Sequence, residues 1–467
     1  DRYDRGAQTA ERNLKHPRGA FLSQDLPHEE SWLASFLPGY TMTYSSAVDY
    51  LFRLQKHGIK LGLATMTALT VRLGMPQTKY RTLHIAGTNG KGSTAAMAAA
   101  VLQAAGYRVG LYTSPHLVDF RERIRVNGEM ITESQVAQLT EQLQALCQPD
   151  LSPTFFEYTT AMALQHFADS GVDVAVLEVG LGGRFDATNV VTPLACAVTT
   201  IALDHQEYLG TTCSSIAFEK AGIIKPGVPV VLGRLDDDAW RMIEQVARER
   251  KARVFRLNED FRTEGETPRQ FSYHGLAMQY DGLTCGLEGR HQLDNAACAL
   301  ALLEAAAPHG IAVTAEAVSA GLRGVNWAGR LEVVDHHPTI LLDGAHNPAA
   351  ATVLADFLAR SDRSHPSRPV VLVLGMMRDK DHRGFFEPLK GLVDEVILTQ
   401  ADLPRSATAQ ELRASLEGLL PHPHVVPHLS DAMALARQLA TPEGLVCVTG
   451  SLMLVGECQA WFRGCGL

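Results

Sequence analysis

Paired cysteines are missing from this sequence. Its eight cysteines in 467 residues are scattered along the chain, and no two of them form a C-x-x-C pair. This spacing predicts neither a disulfide framework nor a zinc site. It is typical of reduced core thiols, so we expect a cytoplasmic protein.

Long apolar runs and an excess of basic residues are also absent. No stretch approaches the roughly 18 to 20 apolar residues that cross a bilayer, so we expect no membrane partner. The formal net charge is −9 at pH 7, which argues against nucleic acid as the main partner. A local basic pocket for a small anion remains compatible with this charge.

The length of the chain and its pattern of elements predict two α/β units. A chain of 467 residues exceeds one ordinary core, and strands alternate with helices in both halves. The pattern restarts near residues 326–332, so we expect one domain over 44–327 and a second over 328–467. Residues 254–287 are typical of a hairpin-rich insertion. Residues 1–43 are expected to be an N-terminal extension without the apolar segment of a signal peptide, and the sequence assigns it no function.

A glycine-rich loop at residues 83–94 is the strongest single motif. It reads L-H-I-A-G-T-N-G-K-G-S-T, a short buried strand that runs into glycines and then into a helix. Such a loop brings backbone N–H groups and a helix N-terminus close to an anion. Lys91 is suited to the β- and γ-phosphates, and a hydroxyl of Ser93 or Thr94 to Mg²⁺ or phosphate. The spacing differs from G-x-x-x-x-G-K-[ST], because Gly92 separates the lysine from the first hydroxyl. A glycine-rich turn with an incidental lysine is the alternative.

Acidic and histidine residues follow later strands. Glu178 ends an apolar strand, where an unpaired carboxylate is costly. We expect it to bind Mg²⁺, with an ion pair to Arg184 as the alternative. Asp204 and His205 follow the next strand and favour an oxygen-rich cation site with one imidazole, although a single histidine is more often structural. Asp343 ends a strand of the second unit and is suited to bonding a ribose or to capping a turn.

The loop A-G-T-N-G-K-G-S resembles the ATP loop of the Mur ligase superfamily and, within it, that of the dihydrofolate synthase/folylpolyglutamate synthase family. Further segments resemble the same family in order: T-S-P-H-L, F-F-E-Y, D-H-x-x-x-L-G, E-K-A-G-I, H-Q-x-x-N-A-A and D-G-A-H-N-P. The resemblance covers about residues 44–455. It implies an α/β protein with a P-loop-type N-terminal ATPase domain, whose sheet is mostly parallel, and a smaller Rossmann-like α/β C-terminal domain.

The resemblance also implies roles for individual residues. Lys91, Lys220 and His346 are the implied catalytic residues, and Lys220 is implied to be N-carboxylated. Two Mg²⁺ sites are implied, one at Ser114 and Glu178 and a second at His205. The implied ATP-binding residues are Thr88, Asn89, Gly90, Lys91, Gly92, Ser93, Asn295, Arg330 and Asp343.

A pterin or folate site is implied beside these residues. Taken without the resemblance, its members have ordinary alternatives: a solvated turn around residues 56–60 and core packing of the aromatic pair at 155–156. The implied pterin-contacting residues are Lys56, His57, Phe155, Phe156, Glu157, Phe185, Asp186 and Ala187.

The activity implied by the resemblance is an ATP- and Mg²⁺-dependent ligation of L-glutamate to dihydropteroate, to reduced folates or to both, through an acyl phosphate. Two alternatives stay open. One is a Mur-type ligase that joins an amino acid to a UDP-sugar, and F-F-E-Y, T-S-P-H-L and D-H-x-x-x-L-G favour folate over it. The other is a P-loop kinase or nucleotide switch, against which the absence of a standard Walker loop counts. We expect a monomer.

Overall fold

The computed structural model describes residues 42–58, 60, 62–147, 150–360, 368–420 and 422–464. The side chains of Lys56 and His57 lie outside this description, as does nearly all of the predicted extension over residues 1–43.

Eight strands form the larger sheet, and most of them pair in parallel. The strands are β1 (Arg81–Ala86), β2 (Val109–Tyr112), β3 (Ile124–Val126), β4 (Glu129–Met130), β5 (Val174–Glu178), β6 (Ala195–Thr200), β7 (Val230–Arg234) and β8 (Val254–Arg256). Their order is β4-β3-β2-β5-β1-β6-β7-β8. Because β5, β1 and β6 are parallel neighbours, the loops that follow them meet at one edge of the sheet, where ligands bind in such folds.

Helices cover both faces of this sheet. Val174 and Val176 of β5 belong to one apolar core, and Ala175 and Leu177 belong to the other, as expected for a strand buried on both sides. The first core contains α3 and α9 and the second contains α5. The helices are α1 (Tyr44–Arg53), α2 (Ala64–Arg72), α3 (Lys91–Ala104), α4 (Glu133–Leu146), α5 (Phe155–Asp169), α6 (Gln206–Leu209), α7 (Cys213–Ala221), α8 (Asp237–Glu249), α9 (His291–Ala306) and α10 (Ala315–Gly324).

A three-stranded antiparallel sheet is inserted before α9. It consists of β9 (Arg262–Thr267), β10 (Gln270–His274) and β11 (Gln279–Leu283). Glu304 of α9 holds it, accepting hydrogen bonds from the Tyr273 hydroxyl at 2.7 Å and the Ala277 amide at 2.8 Å. The prediction that the insertion begins at residue 254 was wrong, because residues 254–256 pair in parallel with β7 in the large sheet.

A second sheet of six strands forms the C-terminal part. Its order is β12-β13-β17-β14-β15-β16, and every pair except β12–β13 is parallel. Apolar cores cover both of its faces. The strands are β12 (Glu332–His336), β13 (Thr339–Leu342), β14 (Val370–Leu374), β15 (Glu395–Leu398), β16 (His424–Val425) and β17 (Leu445–Thr449). The helices are α11 (Pro348–Arg360), α12 (His382–Phe386), α13 (Ala409–Ser415), α14 (Leu429–Ala440) and α15 (Leu452–Phe462).

These two parallel-dominated sheets agree with the predicted fold class. Among the described residues, no helix combines the length and the apolar character that crossing a bilayer requires.

Candidate active site

The glycine-rich loop lies between the end of β1 and the start of α3. Gly87 and Gly90 have φ of 149° and 84°, in the region that favours glycine. A Cβ on Gly87 would collide with the Thr199 hydroxyl, and one on Gly90 with the Asn295 amide oxygen. A Cβ on Gly92 would lie 2.9 Å from the indole nitrogen of Trp327. The loop therefore needs its glycines both for backbone conformation and for space.

Hydrogen bonds from β6 hold this loop in place. The Asn89 amide donates to the Thr200 hydroxyl at 3.0 Å, and the Thr199 hydroxyl donates to the Asn89 carbonyl at 2.6 Å. The Thr88 hydroxyl accepts from the Ala202 amide at 3.1 Å. The loop conformation is thus fixed by the neighbouring strand as well as by its own sequence. Ser93 and Thr94, at the start of α3, are both buried.

Two lysines donate to carbonyl groups of the loop. Lys91 Nζ donates to the Thr88 carbonyl at 3.1 Å, and Lys220 Nζ donates to the Gly87 carbonyl at 2.8 Å. Burial, together with the smaller effect of the charge of Lys91, lowers the pKa of Lys220 to about 7. A substantial fraction of Lys220 is therefore a neutral, nucleophilic amine at neutral pH.

Glu178 ends β5 next to the loop that contains Ser114. The Ser114 amide donates to Glu178 Oε2 at 3.1 Å, and Oε1 accepts no hydrogen bond from the described residues. Burial raises the pKa of Glu178, and the charge of Lys91 opposes this increase. No ion pair to Arg184 is found within the described residues. A buried carboxylate with a free oxygen beside a serine hydroxyl suits Mg²⁺, which takes oxygen ligands from one or two carboxylates, phosphates and water.

His205 lies at the turn after β6, with a backbone φ of 49°. Its imidazole is exposed, and Nε2 lies 4.0 Å from Asp204 Oδ1. No cluster of three or more His, Cys, Asp or Glu side chains suited to a metal occurs among the residues that the structure describes. Water and phosphate oxygens would therefore supply most of the ligands of any Mg²⁺ here.

Asp204 joins the two sheets. Lys380 Nζ, which follows β14, lies 2.7 Å from Asp204 Oδ1. Asn347 Nδ2 donates to Asp204 Oδ2 at 3.1 Å, and His346 Nε2 lies 3.5 Å from the same oxygen. Burial would raise the pKa of Asp204, but His346, His205 and Lys380 hold it well below its usual range. The carboxylate is therefore ionised and binds groups from the C-terminal part.

A second contact joins the glycine-rich loop directly to the C-terminal part. Asn89 and Asn347 exchange two amide hydrogen bonds of 3.1 Å. Asn347 is buried and Asn89 is partly exposed, so these bonds are partly shielded from water. Together, the contacts of Asp204 and Asn347 form what we call the interdomain network: Asn89, Asp204, His346, Asn347 and Lys380.

Arg330 and Asp343 lie where the second sheet begins. Arg330 donates to the Gly329 carbonyl at 3.0 Å and has no carboxylate partner within salt-bridge distance among the described residues. Both oxygens of Asp343 accept backbone hydrogen bonds, from Leu331 and from Ala345, each at 3.0 Å. In this structure Asp343 therefore caps the turn, and its predicted contact with ATP stays a prediction.

Asn295 lies on α9 against Gly90. Its Nδ2 donates to Gln292 Oε1 at 2.8 Å. Gln292 Nε2 is buried and has no hydrogen-bond partner within the described residues. An amide pair therefore lies beside the loop, as the prediction of Asn295 near ATP requires.

Aromatic rings surround the predicted pterin side. Phe155 stacks on Phe52 with ring centroids 5.8 Å apart, and the guanidinium of Arg123 lies 5.2 Å from the Phe155 centroid. Arg123 Nε donates to His116 Nδ1 at 2.8 Å. Phe156 fills the space above Gly180, where a Cβ would collide with its ring. Flat aromatic surfaces with a buried cation suit a conjugated ring system.

The remaining predicted pterin residues serve local structure. Glu157 forms a capping box with Thr154 at the start of α5. Asp186 accepts hydrogen bonds from the Gly180 and Leu181 amides at 3.0 and 2.9 Å, which stabilises its own loop. The exposed Phe185 lies under Arg184, 4.8 Å from its guanidinium carbon, and the neighbouring Ala187 is buried. The side chains of Lys56 and His57 lie outside the described residues.

Several residues of this site were not selected from the sequence. They include Lys380, Asn347, Arg123 and Trp327, each of a residue type that is ordinary in a turn, a cap or a core. Asp204 is predicted from the sequence as part of a cation site with His205, whereas the structure shows it in contact with Lys380, Asn347 and His346. The available signal was their position after strand ends, which places them at the same sheet edges as the predicted residues.

Two Mur ligase families match this chain. The Mur ligase middle domain matches residues 85–303, and the Mur ligase glutamate ligase domain matches residues 329–452. The glycine-rich loop, Glu178 and Lys220 lie in the first match, and the loops of the C-terminal sheet lie in the second. The fold and the site therefore define an ATP-dependent ligase of the Mur type.

Individual relatives narrow this class. The dihydrofolate synthase/folylpolyglutamate synthase of Bacillus subtilis is 37% identical over 429 residues, which are 89% of this chain and 98% of that protein. The structure of Escherichia coli FolC in complex with DHPP and ADP superimposes with a TM-score of 0.84 at 34% identity, over 92% of this chain and 99% of that one. The structure of a bifunctional folylpolyglutamate synthase/dihydrofolate synthase with Mn, AMPPNP and L-glutamate bound superimposes with a TM-score of 0.81 at 34% identity. The superposition covers 91% of this chain and 100% of that one.

The chain belongs to the dihydrofolate synthase/folylpolyglutamate synthase family. The predictions of the family, the fold class and an ATP-dependent ligase activity are thereby confirmed. The alternatives of a UDP-sugar ligase and of a P-loop kinase or switch receive no such support.

Proposed function

We propose that this enzyme joins L-glutamate to the carboxylate of dihydropteroate, of reduced folates or of both, with ATP as co-substrate. The observation that carries this proposal is the convergence of Lys91, Glu178, Lys220 and Arg330 on the loop between the two sheets. Relatives of known structure that bind ADP, AMPPNP, DHPP or L-glutamate support it. ATP and a divalent metal ion are the corresponding co-substrate and cofactor.

The first step activates a carboxylate. A carboxylate oxygen of the folate substrate attacks the γ-phosphorus of ATP, ADP leaves, and an acyl phosphate forms. Lys91, whose Nζ lies at the loop, moves from the Thr88 carbonyl to the phosphates. Arg330 has no carboxylate partner among the described residues and neutralises charge on the transferring group. Positioning and electrostatics supply most of the catalysis in phosphoryl transfer.

The second step forms the amide bond. The neutral amine of L-glutamate attacks the acyl carbon, a proton leaves the nitrogen, and the tetrahedral intermediate expels phosphate. The interdomain network brings His346 and Lys380 of the C-terminal part to the edge of the loop. Closure of the cleft excludes the water that would hydrolyse the acyl phosphate.

Mg²⁺ fits at Ser114 and Glu178, with His205 as the predicted residue of a second site. When bound, Mg²⁺ supplies charge neutralisation on the phosphate oxygens. Glu178 contributes its free oxygen, and the Ser114 amide fixes the other one.

Lys220 is proposed to carry an N6-carboxylate. Its lowered pKa, about 7, leaves a lone pair on Nζ that attacks the carbon of CO₂ while one proton leaves to solvent. The test is a ¹³C NMR spectrum in ¹³C-bicarbonate, with the expected carbamate signal present in the wild type and absent in Lys220→Arg. An unchanged spectrum in the variant would place any carbamate elsewhere.

The proposed activity is tested by phosphate release from ATP with Mg²⁺ and L-glutamate. Parallel reactions contain dihydropteroate, tetrahydrofolate or neither. We expect phosphate release with at least one acceptor. Release with dihydropteroate indicates dihydrofolate synthase activity, and release with tetrahydrofolate indicates folylpolyglutamate synthase activity. Lys91→Ala should abolish release, whereas Lys79→Ala, which removes an exposed lysine, should not. ATP turnover that ignores glutamate and both acceptors would contradict the proposal.

The domain division at 327/328 also stays a proposal. The separation of the strands supports it, because β1 to β11 end at residue 283 and β12 begins at residue 332. A monomeric state stays an expectation, and a cytoplasmic location and the absence of nucleic-acid and membrane partners remain predictions from the composition and pattern of the sequence.

A further inference from the structure

A pocket between the two sheets extends beyond the predicted phosphate site. Gly92, Ser114 and Glu178 line it on the side of the glycine-rich loop. The lining also includes Glu122, Arg125, Trp327 and Leu452. The first group already has a role in the proposed function, whereas the second group has none.

Arg125 is a half-buried cation that forms no salt bridge with the described residues. Its Nε donates to the Glu122 main-chain carbonyl at 3.3 Å. The Glu122 carboxylate is not available to it, since it accepts three backbone amide bonds, from Leu117, Val118 and Asp119. Within the described residues, no carboxylate lies within salt-bridge distance of Arg125. Burial lowers the pKa of Arg125, the charge of Glu122 opposes this decrease, and the charge of Arg463 acts in the same direction as burial. Such a guanidinium favours an anionic ligand.

The two preceding arginines differ from Arg125. Arg121 is paired with Asp119 at 2.6 Å. Arg123 donates to His116 and lies over the ring of Phe155, on the predicted pterin side. Of the three arginines in R-E-R-I-R, Arg125 is the one that lines the pocket.

Trp327 lies next to both Arg125 and the glycine-rich loop. The Arg125 guanidinium lies 5.8 Å from the centroid of its ring, and the indole nitrogen contacts the space above Gly92. Trp327 belongs to the connection between the sheets, next to Ala328 and Arg330. Arg125 therefore lines the pocket beside Trp327 and Leu452, residues to which the proposed function assigns no contact with ATP.

We propose that Arg125 binds a carboxylate of the incoming L-glutamate. This inference rests on the proposed function and adds a residue that determines specificity for an acidic amino acid. The pocket joins Arg125 to Glu178 and Arg330, so a glutamate held at Arg125 has its amine directed to the position where the acyl phosphate forms. The guanidinium supplies two N–H donors in the geometry that a carboxylate accepts.

The test compares wild type, Arg125→Ala and Arg125→Lys by steady-state kinetics with each substrate varied in turn. For Arg125→Ala we expect the KM for L-glutamate to rise about 10- to 100-fold, the size of a lost charge-assisted hydrogen bond. The KM values for ATP and for the folate acceptor should stay within about twofold. The KM of Arg125→Lys for L-glutamate should lie between those of the wild type and Arg125→Ala, because lysine keeps the charge but lacks the planar pair of N–H donors. Arg241→Ala is the matched control, because it removes one exposed arginine of α8 that pairs only with its helix neighbours.

A direct binding measurement accompanies the kinetics. L-glutamate is titrated into the ADP complex of each variant while tryptophan fluorescence is recorded, since Trp327 contacts Arg125. The proposal is overturned if the wild type is active and Arg125→Ala keeps its KM for glutamate, or if only the KM for the folate acceptor rises; the proposed function then stands. A wild type without glutamate-dependent turnover overturns both. A variant that does not fold is recognised by its circular dichroism, and Arg125→Lys then decides.

Discussion

Burial of the Lys220 ammonium lowers the free energy of unfolding by an amount that depends on pH. The pKa of Lys220 is lowered from 10.5 to about 7 by burial and by Lys91. Below about pH 7 the folded and unfolded states both carry the proton, and the full burial cost applies. Above about pH 10.5 both are neutral and the cost vanishes. The contribution of this group to stability therefore rises between these pH values and is lost as the pH falls through 7.

Lys220→Met should remove this dependence. In CO₂-free buffer, we expect the variant to gain stability relative to the wild type near pH 7, by an amount of the order of a few kcal/mol, offset in part by the lost bond to Gly87. The gain should shrink towards pH 10. The measurement is the free energy of unfolding by urea at several pH values. A difference that does not change with pH would show that Lys220 titrates at its ordinary pKa.

Glu178→Gln tests the predicted metal ligand. The glutamine oxygen can still accept from the Ser114 amide, so we expect little change in folding. The lost negative charge should weaken Mg²⁺ activation and lower kcat by about 100-fold or more, because metal-ion catalysis contributes several kcal/mol. Phosphate release against Mg²⁺ concentration measures both effects. Glu304→Gln is the control, since Glu304 also accepts backbone amides but lies at the antiparallel insertion. Equal losses in both variants would count against a metal role.

At the scale of single elements, the glycine-rich loop allows a test of whether a glycine is needed for its backbone conformation or for the space around it. Gly90 has φ of 84°, and a Cβ there meets Asn295, whereas Gly106 has φ of 90° with nothing within 4 Å. Gly90→Ala and Gly106→Ala therefore share the backbone strain, which costs about 1–3 kcal/mol, and differ in the contact.

We expect Gly90→Ala to raise the KM for ATP at least about tenfold, while Gly106→Ala leaves it unchanged. The new Cβ at residue 90 displaces Asn295 and the loop, and a loss of about 1.4 kcal/mol in ATP binding corresponds to a factor of about ten in affinity. Both should lower the melting temperature. ATP affinity from calorimetry and melting curves separates the two effects. A normal ATP affinity in Gly90→Ala would show that Asn295 moves away at no cost.

Elements with continuous signals were predictable from sequence. The loop at residues 83–94 carries its strand, glycines and lysine in one stretch, so local rules are sufficient. Glu157 had a readable local signal too, since T-x-x-E at 154–157 is a capping box, and this role is the one that the structure displays. The edge strand β8 was misassigned to the insertion because its three residues are too short for a periodic pattern.

At the scale of the whole molecule, the interdomain network could not be predicted. Asp204 and Lys380 are 176 residues apart, and neither segment indicates its partner. Only the folded positions of two sheet edges bring them to 2.7 Å. The same limit applies to Arg125 and Trp327, whose sequence surroundings are ordinary.

Lys380→Met should open the cleft. It leaves Asp204 buried with one fewer cation, and breaking such a pair costs about 2–5 kcal/mol. We expect a lower kcat with ATP as substrate, and a larger radius of gyration by small-angle X-ray scattering of the complex with an ATP analogue. Arg378→Met is the control from the same loop, where the pair with Glu411 is exposed and contributes little to stability. If the two variants behave alike, the Asp204 contact does not hold the cleft closed.

The bonds between Asn89 and Asn347 also set an order of events during protein synthesis. These two amides are separated by 258 residues, which a ribosome adds in roughly 13 to 50 s at about 5 to 20 residues per second. During that interval the glycine-rich loop has been synthesised but the C-terminal part that contacts it has not. The nucleotide loop therefore forms before the residues that close the cleft over it, and the cleft is completed only when the C-terminal part has been translated.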